Sequence, residues 1–238
     1  TYKGVDYQML PSDIVGDDDG GQTATWAASH RQSLSSNIDT GEGWPGCRDI
    51  DHKSDNVRNN YNAYLKFLLE DLGYTGFRYD MVKGFAPEYV AQYNQAAQPQ
   101  FSVGEYWDNS TATKLWVNGT KVNNVPQSAV FDFPFRYTVR DAANSGDWSK
   151  LENGSNAPLI NSRQFRQYAV TFVENHDTQT RSASEPLDPI KKDTLAANAY
   201  LLAMPGTPCV FYRHWLDHKQ AIKAMIEVHR AAGITNTS

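Results

Sequence analysis

The sequence lacks the long apolar runs, basic clusters and cysteine frameworks that mark several broad classes of protein. No apolar stretch in its 238 residues approaches the ~20 needed to span a bilayer, and the N-terminus has no basic region followed by an apolar one. The net charge is -5 and basic runs are absent, so neither nucleic acid nor an anionic membrane is an expected partner. The two cysteines, Cys47 and Cys209, lack metal-ligand spacing, which favours two buried or semi-buried thiols over a disulfide or a metal site. We therefore expect a soluble chain with a neutral polar ligand.

Short apolar runs alternate with helical periodicity along most of the chain. Residues 76–80 (Gly-Phe-Arg-Tyr-Asp) read as a buried strand after an amphipathic helix that begins near Ser54 and ends near Gly73. The other predicted strands are 101–105, 129–133, 168–173 and 208–212. The other predicted helices are 87–97, a segment ending near 143, 189–204 and 220–232. This alternation predicts an α/β fold with parallel strands, either a (β/α) barrel or a doubly wound sheet.

Three acids stand where predicted strands end or just beyond, namely Asp80, Glu105 and Asp177. In barrels of parallel strands, catalytic groups lie at the carboxyl ends of the strands. Three carboxylates at one such mouth have the chemistry of glycoside hydrolysis, in which one acts as nucleophile and another as general acid. Any one of them alone is explained equally well as a helix cap or an ion-pair partner, so the hypothesis depends on all three.

The neighbours of these acids suggest different roles. Arg78 lies two residues before Asp80 and so on the same face of a strand, where its charge would keep Asp80 ionised as a nucleophile. Glu105 precedes the aromatic residues at 106 and 107, and partial desolvation there would raise its pKa, as a general acid requires. His176 is either a core histidine or a hydrogen-bond donor to a sugar hydroxyl.

Three motifs resemble conserved blocks of the alpha-amylase family of glycoside hydrolases. They are residues 76–84 (Gly-Phe-Arg-Tyr-Asp-Met-Val-Lys-Gly), 103–107 (Val-Gly-Glu-Tyr-Trp) and 172–177 (Phe-Val-Glu-Asn-His-Asp). The similarity extends from about Asp49 to the end of the chain. It implies a (β/α)8 TIM barrel and retaining endo-hydrolysis of α-1,4-glucosidic bonds in starch or related α-glucans. A glucan transferase using the same acids, and a starch-binding protein without activity, remain alternatives.

The resemblance also assigns site residues. It makes Asp80 the nucleophile, Glu105 the acid/base and Asp177 the stabiliser of the transition state. The implied substrate-binding residues are Arg78, Lys83, His176 and Trp107. The family binds a structural calcium ion, Ca2+, which implies the Asp49 carboxylate and the Gly84 carbonyl as ligands, with Asp51 as the alternative carboxylate.

Part of the family's pattern is missing. No segment resembles its first conserved block or its first three strands, so residues 51–238 are expected to form an incomplete barrel of about five β/α units. Residues 1–50 resemble the C-terminal part of the family's loop-rich inserted domain. The chain is therefore expected to be a piece of a longer protein, whose partners would include the missing barrel strands or a second copy. A polysaccharide substrate favours a secreted or periplasmic location, which the sequence itself does not specify.

Overall fold

The computed structural model describes residues 1–152 and 156–238. These residues form two compact units. The first contains residues 1–105 and 117–128, and the second contains residues 106–116 and 129–238. Each unit has parallel strands and α-helices, so the predicted α/β class is confirmed.

The helices and strands of the described residues have the following bounds. The α-helices are α1 Gln22–Ser29, α2 Asp55–Glu70, α3 Pro87–Ala97, α4 Ser110–Gly119, α5 Phe133–Ser145, α6 Thr194–Ala203 and α7 Tyr212–Ala231. The strands are β1 Gly76–Tyr79, β2 Phe101–Gly104, β3 Lys121–Val122, β4 Val125–Pro126, β5 Ala129–Phe131, β6 Ala169–Thr171 and β7 Thr207–Pro208. Short 3-10 helices occupy Pro11–Asp13, Asp19–Gly21, Val82–Gly84, Trp148–Leu151, Leu159–Asn161 and Arg166–Tyr168.

The first unit is built around the parallel pair β1 and β2. Gly76 lies opposite Phe101, where a Cβ on residue 76 would come within 2.6 Å of the Phe101 carbonyl oxygen, so only glycine fits this register. Helices α2 and α3 pack on the pair through a core that includes Leu65, Phe77 and Tyr93. The core thereby fixes β1, and with it the residue that follows the strand.

The second unit is built around β5, β6 and β7, which pair in parallel with Val130 opposite Ala169 and Val170 opposite Thr207. Phe133 and Phe172 meet edge to face, with ring centroids 5.0 Å apart, and both are buried. Because these strands are parallel, the segment that follows β6 begins at the edge where the carboxyl ends of all three strands lie.

Several predicted element bounds are wrong, for identifiable reasons. The strand predicted at 129–133 ends at Phe131, because the Asp132 carboxylate accepts the Phe135 N–H at 3.1 Å and caps α5. The strand predicted at 208–212 shrinks to β7, and the last helix begins at Tyr212 instead of Gln220. Helices α1 and α4 were not predicted, and α6 begins at Thr194 instead of residue 189.

The structure bears on two further expectations, which concern membrane-spanning helices and the state of the cysteines. In the described part of the chain, no helix combines the length and the apolar character that crossing a bilayer requires. Cys47 and Cys209 are both free thiols, but both residues are exposed, so the prediction that they are buried or semi-buried is wrong.

Candidate active site

The first unit brings two of the three predicted acids together. Asp80 directly follows β1, Glu105 directly follows β2, and the two strands run parallel and side by side. The backbone is tied at the same place, since the Glu105 N–H donates to the Tyr79 carbonyl at 2.9 Å and the Val82 N–H donates to the Glu105 carbonyl at 3.2 Å. The position of both carboxyl groups therefore follows from the register of the strand pair.

Arg78 connects the two carboxylates. Its guanidinium group contacts Asp80 Oδ1 through Nη1 and lies 3.0 Å from Glu105 Oε1 through Nη2. The sequence predicted the contact with Asp80 and missed the contact with Glu105. A planar guanidinium with several fixed donors suits this double contact, which a lysine ammonium would reproduce poorly.

Glu105 and Asp80 differ in their exposure to water. The Glu105 side chain is 7% exposed and the Asp80 side chain 65% exposed. Burial raises the pKa of Glu105 above its ordinary value, while a hydrogen bond from the Met81 N–H and the charge of Arg78 act in the opposite direction. The neighbouring Asp80 carboxylate adds to the rise. The structure therefore has the arrangement a general acid needs, with one carboxyl poised to hold a proton beside one open to solvent.

Met81 takes part in this arrangement through its backbone. It has φ 45°, a left-handed conformation that is uncommon for a residue with a side chain, and its N–H lies 3.1 Å from Glu105 Oε2. Both oxygens of Glu105 are therefore contacted, one by Arg78 and one by Met81. Nothing in the sequence pattern of residue 81 indicated this role.

Asp177 lies in the second unit, in the turn that follows β6. Its carboxylate contacts the Arg181 guanidinium and lies 3.1 Å from His176 Nε2. The His176 side chain is 62% exposed, so the core-histidine alternative is wrong. Arg181 was missed from the sequence, although its spacing of four residues from Asp177 is a signal for an ion pair. The functional roles of Asp177 and His176 stay predictions.

Two predicted substrate-binding residues make protein contacts of their own. Lys83 lies in the 3-10 helix after Asp80, and its Nζ is 3.0 Å from Glu42 Oε2. Trp107 stacks on Phe133 with ring centroids 4.7 Å apart and donates from Nε1 to the Tyr137 hydroxyl at 2.6 Å. Its side chain is therefore oriented on both its face and its edge, while part of it stays exposed.

The predicted calcium ligand Asp49 lies next to a second carboxyl group, that of Asp39. Burial, together with the adjoining Asp39 carboxyl, raises the pKa of Asp49 to about 8. Two carboxyl groups that meet in this way fit a hard cation, which takes six to eight oxygen ligands. Within residues 1–152 and 156–238, however, no three His, Cys, Asp or Glu side chains are grouped so that they could hold a metal ion. The donor type therefore fits calcium and the donor number does not reach a full site.

The other two predicted ligand positions differ from Asp49. Burial acts to raise the pKa of Asp51, but hydrogen bonds from Ser35 and Asn37 outweigh it and lower the pKa. The carboxylate of Asp51 is thus already occupied by neutral donors, which disfavours it as the alternative ligand. Gly84 ends the 3-10 helix after Asp80, and the backbone of Gly41 packs directly against it.

The sequence is similar to one known protein family and to several of its members. The family described as alpha amylase, catalytic domain, matches residues 43–223. Probable alpha-amylase 2 of Arabidopsis thaliana is 31% identical over 222 residues, covering 85% of this chain and 52% of that protein. Glucan 1,4-alpha-maltotetraohydrolase of Stutzerimonas stutzeri is 32% identical over 205 residues, covering 79% of this chain and 36% of that protein.

A solved structure extends the likeness to the fold. The pullulanase of Anoxybacillus sp. LM18-11, complexed with maltotriose, superimposes with a TM-score of 0.58 at 16% identity, over 82% of this chain and 37% of that one. The chain spans about half the length, or less, of these relatives. Since the matched family region covers most of the chain, including Asp80, Glu105 and Asp177, the chain belongs to the alpha-amylase family of glycoside hydrolases.

Proposed function

We propose that this chain carries the reacting groups of a retaining endo-hydrolase of α-1,4-glucans such as starch. The observation that carries the proposal is the pair of unequal carboxyl groups in the first unit. Glu105 is buried with a raised pKa, Asp80 is exposed to solvent, and Arg78 contacts both. Retaining hydrolysis requires such a pair, because one group must give up a proton while the other attacks as an anion.

The chemistry assigned to these groups is a double displacement. The Asp80 carboxylate attacks the anomeric carbon, and Glu105 transfers its proton to the departing glycosidic oxygen as that bond breaks. The Glu105 carboxylate then removes a proton from a water molecule, which displaces Asp80 and restores both groups. Arg78 holds the two carboxyl groups in register throughout. Asp177 and His176 are assigned to hydrogen bonds with sugar hydroxyls.

The named relatives support the substrate class. One of them is called a glucan 1,4-alpha-maltotetraohydrolase, and the pullulanase structure contains maltotriose. Both names point to α-glucans as the class of ligand. The exposed and oriented face of Trp107 is suited to stacking on a pyranose ring.

The test is to replace Glu105 by Gln and measure reducing sugar released from starch. The variant keeps the shape of the side chain and loses its transferable proton, so we expect the rate to fall by about 10²-fold or more. Glu227→Gln, on an exposed part of α7, is the matched control and should leave the rate unchanged. Starch hydrolysis by Glu105→Gln at the rate of the control would contradict the mechanism.

Product analysis separates the two enzyme alternatives. At low substrate concentration a hydrolase passes the glycosyl-enzyme intermediate to water and forms shorter maltooligosaccharides, whereas a transferase passes it to a sugar hydroxyl and forms longer ones even there. Longer products at low substrate concentration would therefore replace the hydrolase proposal by the transferase.

We also propose that Asp49 contributes to a structural calcium site together with the Gly84 carbonyl. The support is the meeting of the Asp49 and Asp39 carboxyl groups, whose mutual repulsion a divalent cation would relieve. Such an ion would hold the N-terminal segment against the loop that follows Asp80.

A further inference from the structure

The segment that carries Asp177 is anchored to one buried arginine. Arg136 lies on α5 with a side chain that is 0% exposed. It contacts the segment from 174 to 190 near its first residue and again near its last. The segment that contains the motif around His176 and Asp177 is therefore held by a buried residue that takes no part in the proposed chemistry.

The first contact is with Glu174, the residue that follows Val173 after β6. Arg136 Nη2 lies 3.4 Å from Glu174 Oε1, and the Glu174 side chain is only 2% exposed. The same Oε1 accepts a hydrogen bond from the Thr178 hydroxyl, and Oε2 accepts the Ile190 N–H at 2.8 Å. Glu174 thus joins both ends of the segment to each other as well as to Arg136.

The second contact is with Asp188. Arg136 Nη1 lies 2.8 Å from Asp188 Oδ2, and Nη2 also donates to the Asp188 carbonyl. Arg140, one turn later on α5, contacts the same carboxylate. The Asp188 N–H in turn donates to the Thr178 carbonyl at 3.1 Å, which closes the segment into a loop.

Thr178 transmits this anchoring to Asp177. Its hydroxyl oxygen accepts the Asn175 N–H at 3.1 Å while the hydroxyl proton is directed to Glu174. The Asn175 side chain then accepts the Asp177 N–H at 3.0 Å. Three consecutive hydrogen bonds therefore connect Glu174 to the backbone of Asp177.

The residues of this network and the residues that it supports differ in their exposure to solvent. Arg136, Glu174 and Thr178 are buried, whereas the side chains of Asp177 and His176 are 32% and 62% exposed. A buried ion pair is costly to form, and removing one partner leaves an uncompensated charge, so the network tolerates few alternative geometries. Such a support fits a carboxylate that must be held in place while it faces solvent.

We propose that Arg136, Glu174 and Thr178 are positioning residues for Asp177. Through this network, the buried charge on α5 sets the orientation of the turn from 175 to 178 and hence of the Asp177 carboxylate. The proposal rests on the proposed function in one respect, namely that Asp177 acts on substrate.

The variant that isolates the network is Thr178→Val. It preserves the shape of a fully buried side chain and removes only the hydroxyl that links Glu174 to Asn175. We expect kcat on starch to fall by about tenfold to a hundredfold, since small displacements of a reacting group have effects of that size. Thr178→Ser keeps the hydroxyl and should restore kcat to within about twofold of the unmodified protein.

Thr138→Val is the matched control, because Thr138 lies on α5 and its hydroxyl donates to the Pro134 carbonyl at 2.8 Å, outside the network. It should leave kcat unchanged and lower Tm less than Thr178→Val, because Thr138 is only partly buried and its hydroxyl contacts no buried charge. Hydrogen exchange gives a second readout, in which the amides from 175 to 178 should exchange faster in Thr178→Val and not in the control. Unchanged kcat and unchanged exchange in Thr178→Val would overturn the positioning role.

Asp177→Asn separates this proposal from the proposed function. If Asp177→Asn abolishes activity and Thr178→Val resembles the control, only the positioning role is refuted. If Asp177→Asn keeps full activity, the assigned role of Asp177 is refuted, and faster exchange from 175 to 178 in Thr178→Val would still support the anchoring by the network.

Discussion

Replacing Arg78 by Leu removes a fixed positive charge that contacts the carboxyl groups of both Asp80 and Glu105. Its guanidinium group favours the ionised form of Glu105, in opposition to burial, which raises the pKa of that group. Without Arg78, burial and the neighbouring Asp80 carboxylate are opposed less, chiefly by the hydrogen bond from the Met81 N–H. The pKa of Glu105 should therefore rise further, and the general acid should stay protonated to higher pH.

The distance between the Arg78 guanidinium and the Glu105 carboxyl sets the size of their electrostatic attraction. Two unit charges 3.0 Å apart attract by roughly 5–6 kcal/mol in a medium with an effective dielectric constant of about 20. The Arg78 side chain is 35% exposed, so solvent screening leaves only a fraction of that, on the order of 2 kcal/mol. The loss of this attraction disfavours the ionised form of Glu105 and therefore predicts a rise in its pKa in Arg78→Leu.

The assay is the pH dependence of kcat/KM on a maltooligosaccharide, in which the alkaline limb reports loss of the proton from Glu105. In Arg78→Leu this limb should move to higher pH while the maximal rate falls. Arg78→Lys retains the charge and should move it far less. Arg213→Leu, which removes a surface ion pair on α7, serves as the control for loss of an arginine. An unmoved alkaline limb in Arg78→Leu would refute the assignment of Glu105 as the acid governed by Arg78.

Three further predictions concern the surroundings of this site. Gly41→Ala would place a Cβ 2.3 Å from the carbonyl carbon of Gly84 and should lower the free energy of unfolding by roughly 1–3 kcal/mol in chemical denaturation. Gly84→Ala, whose Cβ would meet nothing within 4 Å, should cost much less, and equal effects would contradict the packing argument. Removal of calcium with a chelator should lower Tm, and Asp49→Asn should abolish that response; an unchanged Tm on chelation counts against the calcium site. Burial lowers the pKa of His52 to about 4, so the unfolded chain binds the additional proton more readily. Stability should be complete above about pH 6.5 and fall by roughly 3 kcal/mol as the pH drops to 4, whereas His52→Phe, which retains stacking on Phe85, should show a flatter acid response.

The errors in the predicted elements have physical causes that single residues illustrate. Tyr212 and Leu216 are 69% and 55% exposed although they lie on α7, so the apolar side chains at the start of this helix do not follow an inward stripe. The apolar run from 208 to 212 favoured a strand, and no helical periodicity of apolar residues indicated that a helix begins at Tyr212. Asp132 shows the opposite case, because an Asp followed by Pro134 in the first helical turn is a recognisable cap that the apolar neighbours obscured.

The arginine partners of the acids show how far sequence reasoning can reach at a site. Arg78 and Asp80 are two residues apart, and Asp177 and Arg181 are four apart, so local backbone geometry alone brings each pair together. Spacing in the sequence is then enough information to predict such contacts. Arg136 and Glu174 are 38 residues apart, and their contact exists only because α5 packs against the segment that follows β6. Arg140 and Asp141 on the same helix keep side chains that are 18% and 53% exposed, and nothing in the local sequence distinguishes Arg136 from them as the buried residue. The arginine contacts of the acids proposed to act on substrate were therefore predictable from sequence spacing, whereas the contacts of Arg136 depend on tertiary packing and required the structure.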